Sequence, residues 1–338
     1  MEFGQEALRD SSAEAGQEAP APARGTPPAE IEIDDALVRG LLRAQHPDMA
    51  DLPLVLTATG WDNCTYRLGT ELAVRVPRRK LAGELLAREQ ELLPLLAPRV
   101  TVRVPVPVRL GRPGGDYPWP WSIVPWIPGR STEHEALSGD QAGALGSFLS
   151  ALHRPEPPQI PRSTYRGMPL DRCVRVEDRI AHLSTGLPQE APEGPPAATD
   201  PPVRRAAHPH GVDWAALLDL WRAAVEAPRD VPDTWIHADL HPKNVLGDAG
   251  RLAAVIDWGD TCLGDPATDL AAAWMHFPVE DHARFRQAYG GVSPATLLRA
   301  RGWAVFFGTM LLEHGSVDDR HFARIGRLTL RRLAPAPR

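Results

Sequence analysis

Residues 234–258 constrain the fold more than any other stretch, because they form a strand-type island in a half of the chain that otherwise reads as helix. Val245-Leu246 and residues 252–256 carry strand-forming side chains, and 247–250 between them is a turn signal, so the island predicts a β-hairpin. Asn244 enters this hairpin and Asp257 leaves it. Their midpoint falls close to the turn, which sets the two residues side by side at the open end. Around the island, helical periodicity predicts helices over 138–153, 171–183, 213–225, 266–275, 280–288 and 294–313.

The first half has a different character. Runs at 54–57, 64–68 and 72–76 alternate in the manner of strands, with Gly60-Trp61-Asp62-Asn63 and Gly69-Thr70 as the turns between them. A helix over 81–96 follows, with Leu85, Leu92 and Leu96 on one face, and then two further strands at 104–110 and 121–126. A shorter helix over 32–45 precedes the sheet, with Asp34 as its N-cap. The expected architecture is α+β and bilobal: a small antiparallel sheet packed by a helix, then a larger, mainly helical lobe. We expect a nucleotide-sized unit over 31–125 and a helical unit over 126–338, with the loop 234–259 between its helices. Residues 1–30 carry almost no large apolar side chains and are expected to be a disordered tail, and 186–211 a mobile insertion rich in proline.

A net charge of −6 offers no footprint for a nucleic-acid backbone and no basic membrane patch. The most apolar run, 303–312, is about half the roughly 20 residues that a membrane span needs. Three scattered cysteines, Cys64, Cys173 and Cys262, form neither a zinc spacing nor a disulfide framework, and no signal peptide is evident. These features predict a cytoplasmic protein that meets small molecules rather than nucleic acid or membrane.

The chemistry follows from the island. An amide oxygen beside a carboxylate, as at Asn244 and Asp257, gives two hard donors of the kind magnesium takes together with phosphate oxygens and water. Asp239, five positions before Asn244 on a loop tightened by Pro242, stands over the same point without being a ligand. A carboxylate there orients a substrate hydroxyl and accepts its proton, which is the arrangement phosphoryl transfer requires. Any one of these residues alone would more often fix a turn or end a strand. The ordered set is what points to chemistry.

His237-Ala238-Asp239-Leu240-His241-Pro242-Lys243-Asn244, followed by Ile256-Asp257-Trp258-Gly259, resembles the signature of the aminoglycoside phosphotransferase family, which has a protein-kinase-like fold and includes macrolide and choline kinases. The resemblance covers roughly residues 50–320. It implies a small-molecule kinase using ATP or GTP and Mg2+, with Asp239 as catalytic base, Asn244 and Asp257 as metal ligands and His237 as a structural brace. Ala238 stands where protein kinases usually carry Arg, so control through a phosphorylated activation loop is not expected.

The same resemblance makes the Gly60 to Asn63 turn the loop over the phosphates. It makes Arg75 the counterpart of the kinase lysine, with Glu89 as its helix partner and Glu84 and Glu91 as competitors. Backbone groups of Val124 and Trp126 are expected at the purine edge. Asp265 before Pro266 reads as a helix N-cap with a structural role, and Asp269 as a brace of the catalytic loop. The acceptor is expected to be a small hydroxylated molecule, possible antibiotics included. A polycation would call on Asp260, Glu280, Asp281 and Glu313, whereas Arg320, Arg324, Arg327, Arg331 and Arg332 would repel it if they frame the pocket. Two other readings stay open: a metal-dependent hydrolase holding its ion with His237, Asp239 and His241 on one strand face, and a kinase-like protein that binds nucleotide without turnover.

Overall fold

Period-two patterning makes the first half a sheet. In the computed structural model, which describes residues 28–154, 166–186 and 209–336, β1 (Leu54–Thr59), β2 (Asn63–Leu68) and β3 (Leu72–Pro77) run antiparallel. Cys64, Tyr66 and Leu68 point into a core while their neighbours stay half-buried. The preceding α1 (Asp35–Gln45) begins where Asp34 accepts the N–H of Leu37 at 2.8 Å, and it buries Val38, Leu41 and Leu42 in that same core. Most of the expected tail and insertion, namely 1–27 and 187–208, lies outside the described residues.

After β3, α2 (Lys80–Leu96) packs across the sheet with Ala82, Leu86, Leu92 and Leu93 buried. The strand expected over 104–110 shrinks to β4 (Arg109–Gly111). Pro105 and Pro107 have no N–H to give a ladder, and the chain before them serves the other lobe: Arg103 accepts a hydrogen bond from Val255 at 3.1 Å. With β5 (Trp121–Pro125) in place, the sheet order is β1-β2-β3-β5-β4.

The connector then enters β6 (Arg130–Ser131), and helices take over with α3 (Ala142–Leu152), α4 (Val176–Ser184) and α5 (Trp214–Glu226). α4 starts later than its periodicity predicts because Arg175 adopts φ 66°, which interrupts the helix from 171. The island supplies β7 (Thr234–Ile236), β8 (Val245–Asp248), β9 (Arg251–Val255) and, just beyond, β10 (Cys262–Gly264). β8 and β9 form the hairpin, with β8 also paired to β6, while β7 pairs with β10. The helix expected over 266–275 divides into α6 (Ala267–Leu270) and α7 (Ala272–His276). α8 (His282–Tyr289) and α9 (Pro294–Asp318) follow, the latter capped by Ser293.

Sequence periodicity did not single out the last helix, α10 (Arg320–Leu333). Asp319 restarts the chain there by accepting the N–H groups of His321 and Phe322 at 2.9 and 3.2 Å, and α10 folds back antiparallel on α9. The approach depends on glycine. A Cβ at Gly326 would sit 2.4 Å from the Leu312 nitrogen and 2.6 Å from the Gly308 oxygen, both backbone atoms that cannot step aside. Gly326→Ala should therefore destabilise the fold by about 1–3 kcal/mol, read as a lower urea midpoint at unchanged m-value. A wild-type midpoint would refute this account of the packing. Among the described residues, no helix is long and apolar enough to cross a membrane.

Candidate active site

β7 delivers the chain to the centre of the molecule, where it reverses through Ala238 at φ 68°. A side chain is strained there, and the turn is held by Asp269, whose two carboxylate oxygens accept the N–H groups of His237 at 2.7 Å and Ala238 at 2.8 Å. Asp269 is itself buried and lies 3.1 Å from His153 Nε2, while His153 Nδ1 meets the Tyr289 hydroxyl at 3.0 Å. On the other side, His237 Nε2 lies 3.0 Å from the Ile256 carbonyl and its ring meets Trp258 edge-on. His237 and Asp269 thus fix the loop from opposite faces.

The reversal at Ala238 overturns the idea that His237, Asp239 and His241 line one face of a strand. Period two ends at Ile236, and His237 is fully buried against Ile256 rather than turned toward the other two. Among the described residues, no group of three His, Cys, Asp or Glu side chains is arranged to hold a metal ion.

Asp239 faces the cleft. Asn244 Nδ2 donates to its carbonyl at 2.9 Å and to its Oδ2 at 3.1 Å; His241 Nε2 stands 3.4 Å from Oδ2, and an Arg166 nitrogen 3.7 Å from Oδ1. Burial pushes this carboxyl up, but His241 and Arg166 outweigh it and hold the group well below the usual carboxylate range. The hairpin closes at its mouth through Ile256 N–H and the Asn244 carbonyl at 2.9 Å, so Asn244 and Asp257 are neighbours there.

From the other lobe, Arg75 on β3 reaches across. One guanidinium nitrogen makes an ion pair with Glu89 and the other meets Asp257 at 2.9 Å. Glu89 points inward from α2 and also accepts the Trp258 N–H at 3.1 Å, whereas Glu84 and Glu91 lie exposed on the helix. Between β1 and β2, Gly60 N–H donates to Asn63 O at 2.9 Å, Asp62 is held by Arg79 at 2.5 Å, and Trp61 overhangs toward His314 of α9. Asn63 Oδ1 is buried without a hydrogen-bond partner.

Two cavities meet at these residues. One, of about 340 Å³, is an apolar slot walled by Ala58, Ala73, Val124, Trp126, Leu246 and Ile256. The other, of about 290 Å³, holds Asp239, Arg166 and Asp260 with Trp61, His314 and Phe322. Gly60, Asn63, Arg75, Asn244 and Asp257 line both.

Several expectations need correction. Trp126 lines the slot, but its N–H is taken by the Glu71 carbonyl at 2.7 Å, while the Ile123 carbonyl accepts from Val108 on the opposite edge of β5. Backbone groups alternate sides along a strand. The groups of Val124 and Trp126 therefore face β3, and those left for the slot are the carbonyl of Pro125 and the N–H of Ile127. Asp265 caps the helix as expected, with Pro266 already at helical angles: its carboxylate accepts the Ala267 N–H at 3.1 Å and forms a buried ion pair with Arg299 at 2.6 Å, away from both cavities.

Of the four acidic candidates for the acceptor, only Asp260 lines the cavity; Glu313 pairs with Arg179 and Asp281 with Arg284. None of the arginines of α10 lines it either. Arg324 donates to the Glu133 carbonyl and Arg332 to those of Trp274 and Met275, and the residue that α10 turns to the cavity is Phe322. Sequence reasoning missed Arg166, His314 and Phe322, and although it singled out the loop that contains Trp61, it gave that side chain no place in the chamber. Arg166 stands alone before Gly167, between helical candidates, with no periodicity to mark it.

His276 supports the loop from below, with Nε2 at 3.2 Å from the Leu240 carbonyl and Nδ1 at 3.4 Å from the Thr132 hydroxyl. Burial pushes its pKa down to about 4 from 6.5. Above the upper value both folded and unfolded forms are neutral. Between the two values only the unfolded chain takes the proton, so stability falls as pH drops through this window, by about 3 kcal/mol in all. His276→Gln should flatten that part of the curve of urea midpoint against pH, and an unchanged slope would exclude His276 as its source.

A small sheet lobe and a larger helical lobe closing on this cleft define a bilobal, protein-kinase-like protein. Residues 54–303 match the profile of the Phosphotransferase enzyme family, and the chain belongs to that family. It is 28% identical over 175 residues to the viomycin phosphotransferase of Streptomyces vinaceus, a match covering 43% of this chain and 61% of that protein. It is 28% identical over 136 residues to the hygromycin-B 4-O-kinase of Escherichia coli, covering 35% and 40%. The fold resembles that of aminoglycoside 2'-phosphotransferase-IIIa in its GDP complex, with a TM-score of 0.63, 17% identity and coverage of 89% of this chain and 99% of the other. It also resembles a macrolide 2'-phosphotransferase from Brachybacterium faecium, with a TM-score of 0.53, 22% identity and coverage of 90% and 98%.

Proposed function

We propose that this protein transfers the γ-phosphoryl group of ATP or GTP to a hydroxyl group of a small molecule, with Asp239 as the base. The observation that carries this reading is the junction of the two cavities. An apolar slot suited to a flat base opens, at Asn244, Asp257 and Arg75, into a second chamber that holds the charged groups Asp239, Arg166 and Asp260, where Asp239 stands ready for an acceptor. Family membership and the relatives that phosphorylate viomycin and hygromycin B support it.

The residues present fit magnesium. The Asn244 amide nitrogen is committed to Asp239, which leaves the amide oxygen as a donor, and Asp257 keeps a half-exposed carboxylate beside it. Asn244 and Asp257 would hold the ion, which would supply positive charge to offset that of the phosphates. The Gly60 to Asn63 loop covers the phosphates, and the orphaned Asn63 oxygen is satisfied by a ligand donor such as a hydroxyl. Pro125 and Ile127 present their backbone to the base edge. Arg75 holds Asp257 and Glu89 in register, and His237 and Asp269 hold the loop that carries Asp239.

The test is consumption of ATP and GTP with magnesium against a panel of aminoglycosides, macrolides, viomycin, hygromycin B and homoserine, with product phosphate located by 31P NMR. Transfer to a hydroxyl is expected. Ester hydrolysis without nucleotide, lost to a zinc chelator, would favour a hydrolase instead. Nucleotide binding without turnover on a wider panel would favour a binding protein.

A further inference from the structure

We infer that Arg166 is a further catalytic residue of this site, its guanidinium receiving the equatorial oxygens of the phosphoryl group as that group passes to the acceptor oxygen beside Asp239. This rests on the phosphotransfer reading above. In that step the acceptor oxygen bonds to the γ-phosphorus and gives its proton to Asp239. The bond from the γ-phosphorus to the bridging oxygen breaks, and its electron pair leaves with the nucleoside diphosphate. Arg166 contributes hydrogen bonds and charge only.

The argument begins with charge. Asp62, Asp239, Asp257 and Asp260 all line the chamber, and an entering triphosphate adds more negative charge. A cation is needed on the acceptor side, where Asp239 stands. Arg75 is committed to Glu89 and Asp257 on the nucleotide side. Lys243 also lines the chamber, but its ammonium is engaged by Asp319 at 2.6 Å and by the Phe322 ring at 3.6 Å. Among the described residues, Arg166 is the arginine placed beside the base, 3.7 Å from Asp239 Oδ1.

Its anchoring suits the task. One nitrogen lies 2.6 Å from Asp260 Oδ2 but 3.7 Å from Asp239 Oδ1, too long for a hydrogen bond yet close enough for charge. A guanidinium carries five donors in a planar fork, so a phosphoryl oxygen can be engaged while Asp260 keeps its hold. The backbone beneath is pinned as well. Gly167 has φ 69°, and a Cβ there would lie 2.5 Å from the Leu263 carbonyl oxygen and 2.9 Å from Cys262 Sγ, both on β10. β10 pairs with β7, which feeds directly into the Asp239 loop. The segment that carries Arg166 thus packs on β10, and the loop that carries Asp239 leaves from β7, the strand paired with it.

The experiment compares wild type, Arg166→Ala and Arg166→Lys by two readouts. One is affinity for Mg-ADP with and without fluoroaluminate, which mimics the transferring phosphoryl group. The other is phosphate release from Mg-ATP and Mg-GTP with water as the acceptor. Arg166→Ala should keep Mg-ADP affinity, which also reports that it folds, and should lose about 10²–10³-fold in phosphate release with a matching loss in the fluoroaluminate complex. Added guanidine should restore part of the release, and Arg166→Lys should lie between the two. Equal loss of both affinities, or no selective loss, would overturn the proposal and leave Arg166 structural. A wild-type protein that neither releases phosphate nor tightens with fluoroaluminate would instead overturn the phosphotransfer reading itself.

Discussion

Asp239→Asn should reduce phosphoryl transfer by about 10²–10⁴-fold or more while leaving Mg-nucleotide affinity near that of wild type. The substitution is nearly isosteric, and an amide oxygen can still accept the hydrogen bond that Asn244 Nδ2 now gives to Asp239 Oδ2. The apolar slot lies beyond Asn244 and Asp257 and should not register the change. What disappears is an acceptor for the hydroxyl proton. In the wild-type protein that acceptor is kept anionic by His241 and Arg166 against the effect of burial. An amide in the same place has no basic lone pair to offer and turns its NH₂ toward the Arg166 side. Single-turnover rates with a saturating acceptor separate chemistry from product release. Full activity in this variant would remove Asp239 from the mechanism.

Much of this site is written in short-range patterns, and what is not written depends on contacts between distant segments. The hairpin was legible because a turn between two strand-type runs fixes its own register, and that register makes neighbours of Asn244 and Asp257. The choice of Glu89 over Glu84 and Glu91 was open in sequence, because all three sit on one helix; only the docking of α2 on the sheet decides which side faces Arg75. The connector 122–129 shows how narrow the margin is. The alternate residues Val124 and Trp126 were expected at the purine edge, but which alternate set faces it depends on which edge of β5 pairs with β3, and that comes from the sheet and not from 122–129. α10 escaped for another reason. Its apolar side, with Ala323, Ile325, Leu330 and Leu333 buried, does alternate with the arginines at helical spacing, but the arginines read as a basic segment and the period behind them is passed over. Arg166, Trp61, His314 and Phe322 meet in one chamber from four separate parts of the chain, a convergence that no local spacing encodes.

Asp269→Ala should produce the largest loss of stability and a loss of catalysis with it. Its carboxylate accepts two buried backbone N–H groups and meets His153, and alanine leaves all three without that partner. An unsatisfied buried donor costs about 1–3 kcal/mol, so a loss of about 3 kcal/mol or more is expected in the urea midpoint. Asp269→Asn keeps one acceptor oxygen and should lose roughly half as much. The catalytic effect follows from geometry rather than from unfolding. Ala238 holds a left-handed conformation only because both ends of the turn are tied down, and without Asp269 the backbone gains by relaxing away from it. Asp239 is the next residue, and a shift of about 1 Å at a reacting group costs about 10²-fold in rate. The slot for the base is built from other elements, so the nucleotide KM should change far less than kcat when both are measured at a temperature where the variant remains folded. If Asp269→Ala kept the wild-type midpoint, the two short hydrogen bonds would not be what holds the loop. If it lost stability but kept kcat, the left-handed turn would be maintained by His237 against Ile256 and Trp258 alone, and the brace would belong to the fold without belonging to catalysis.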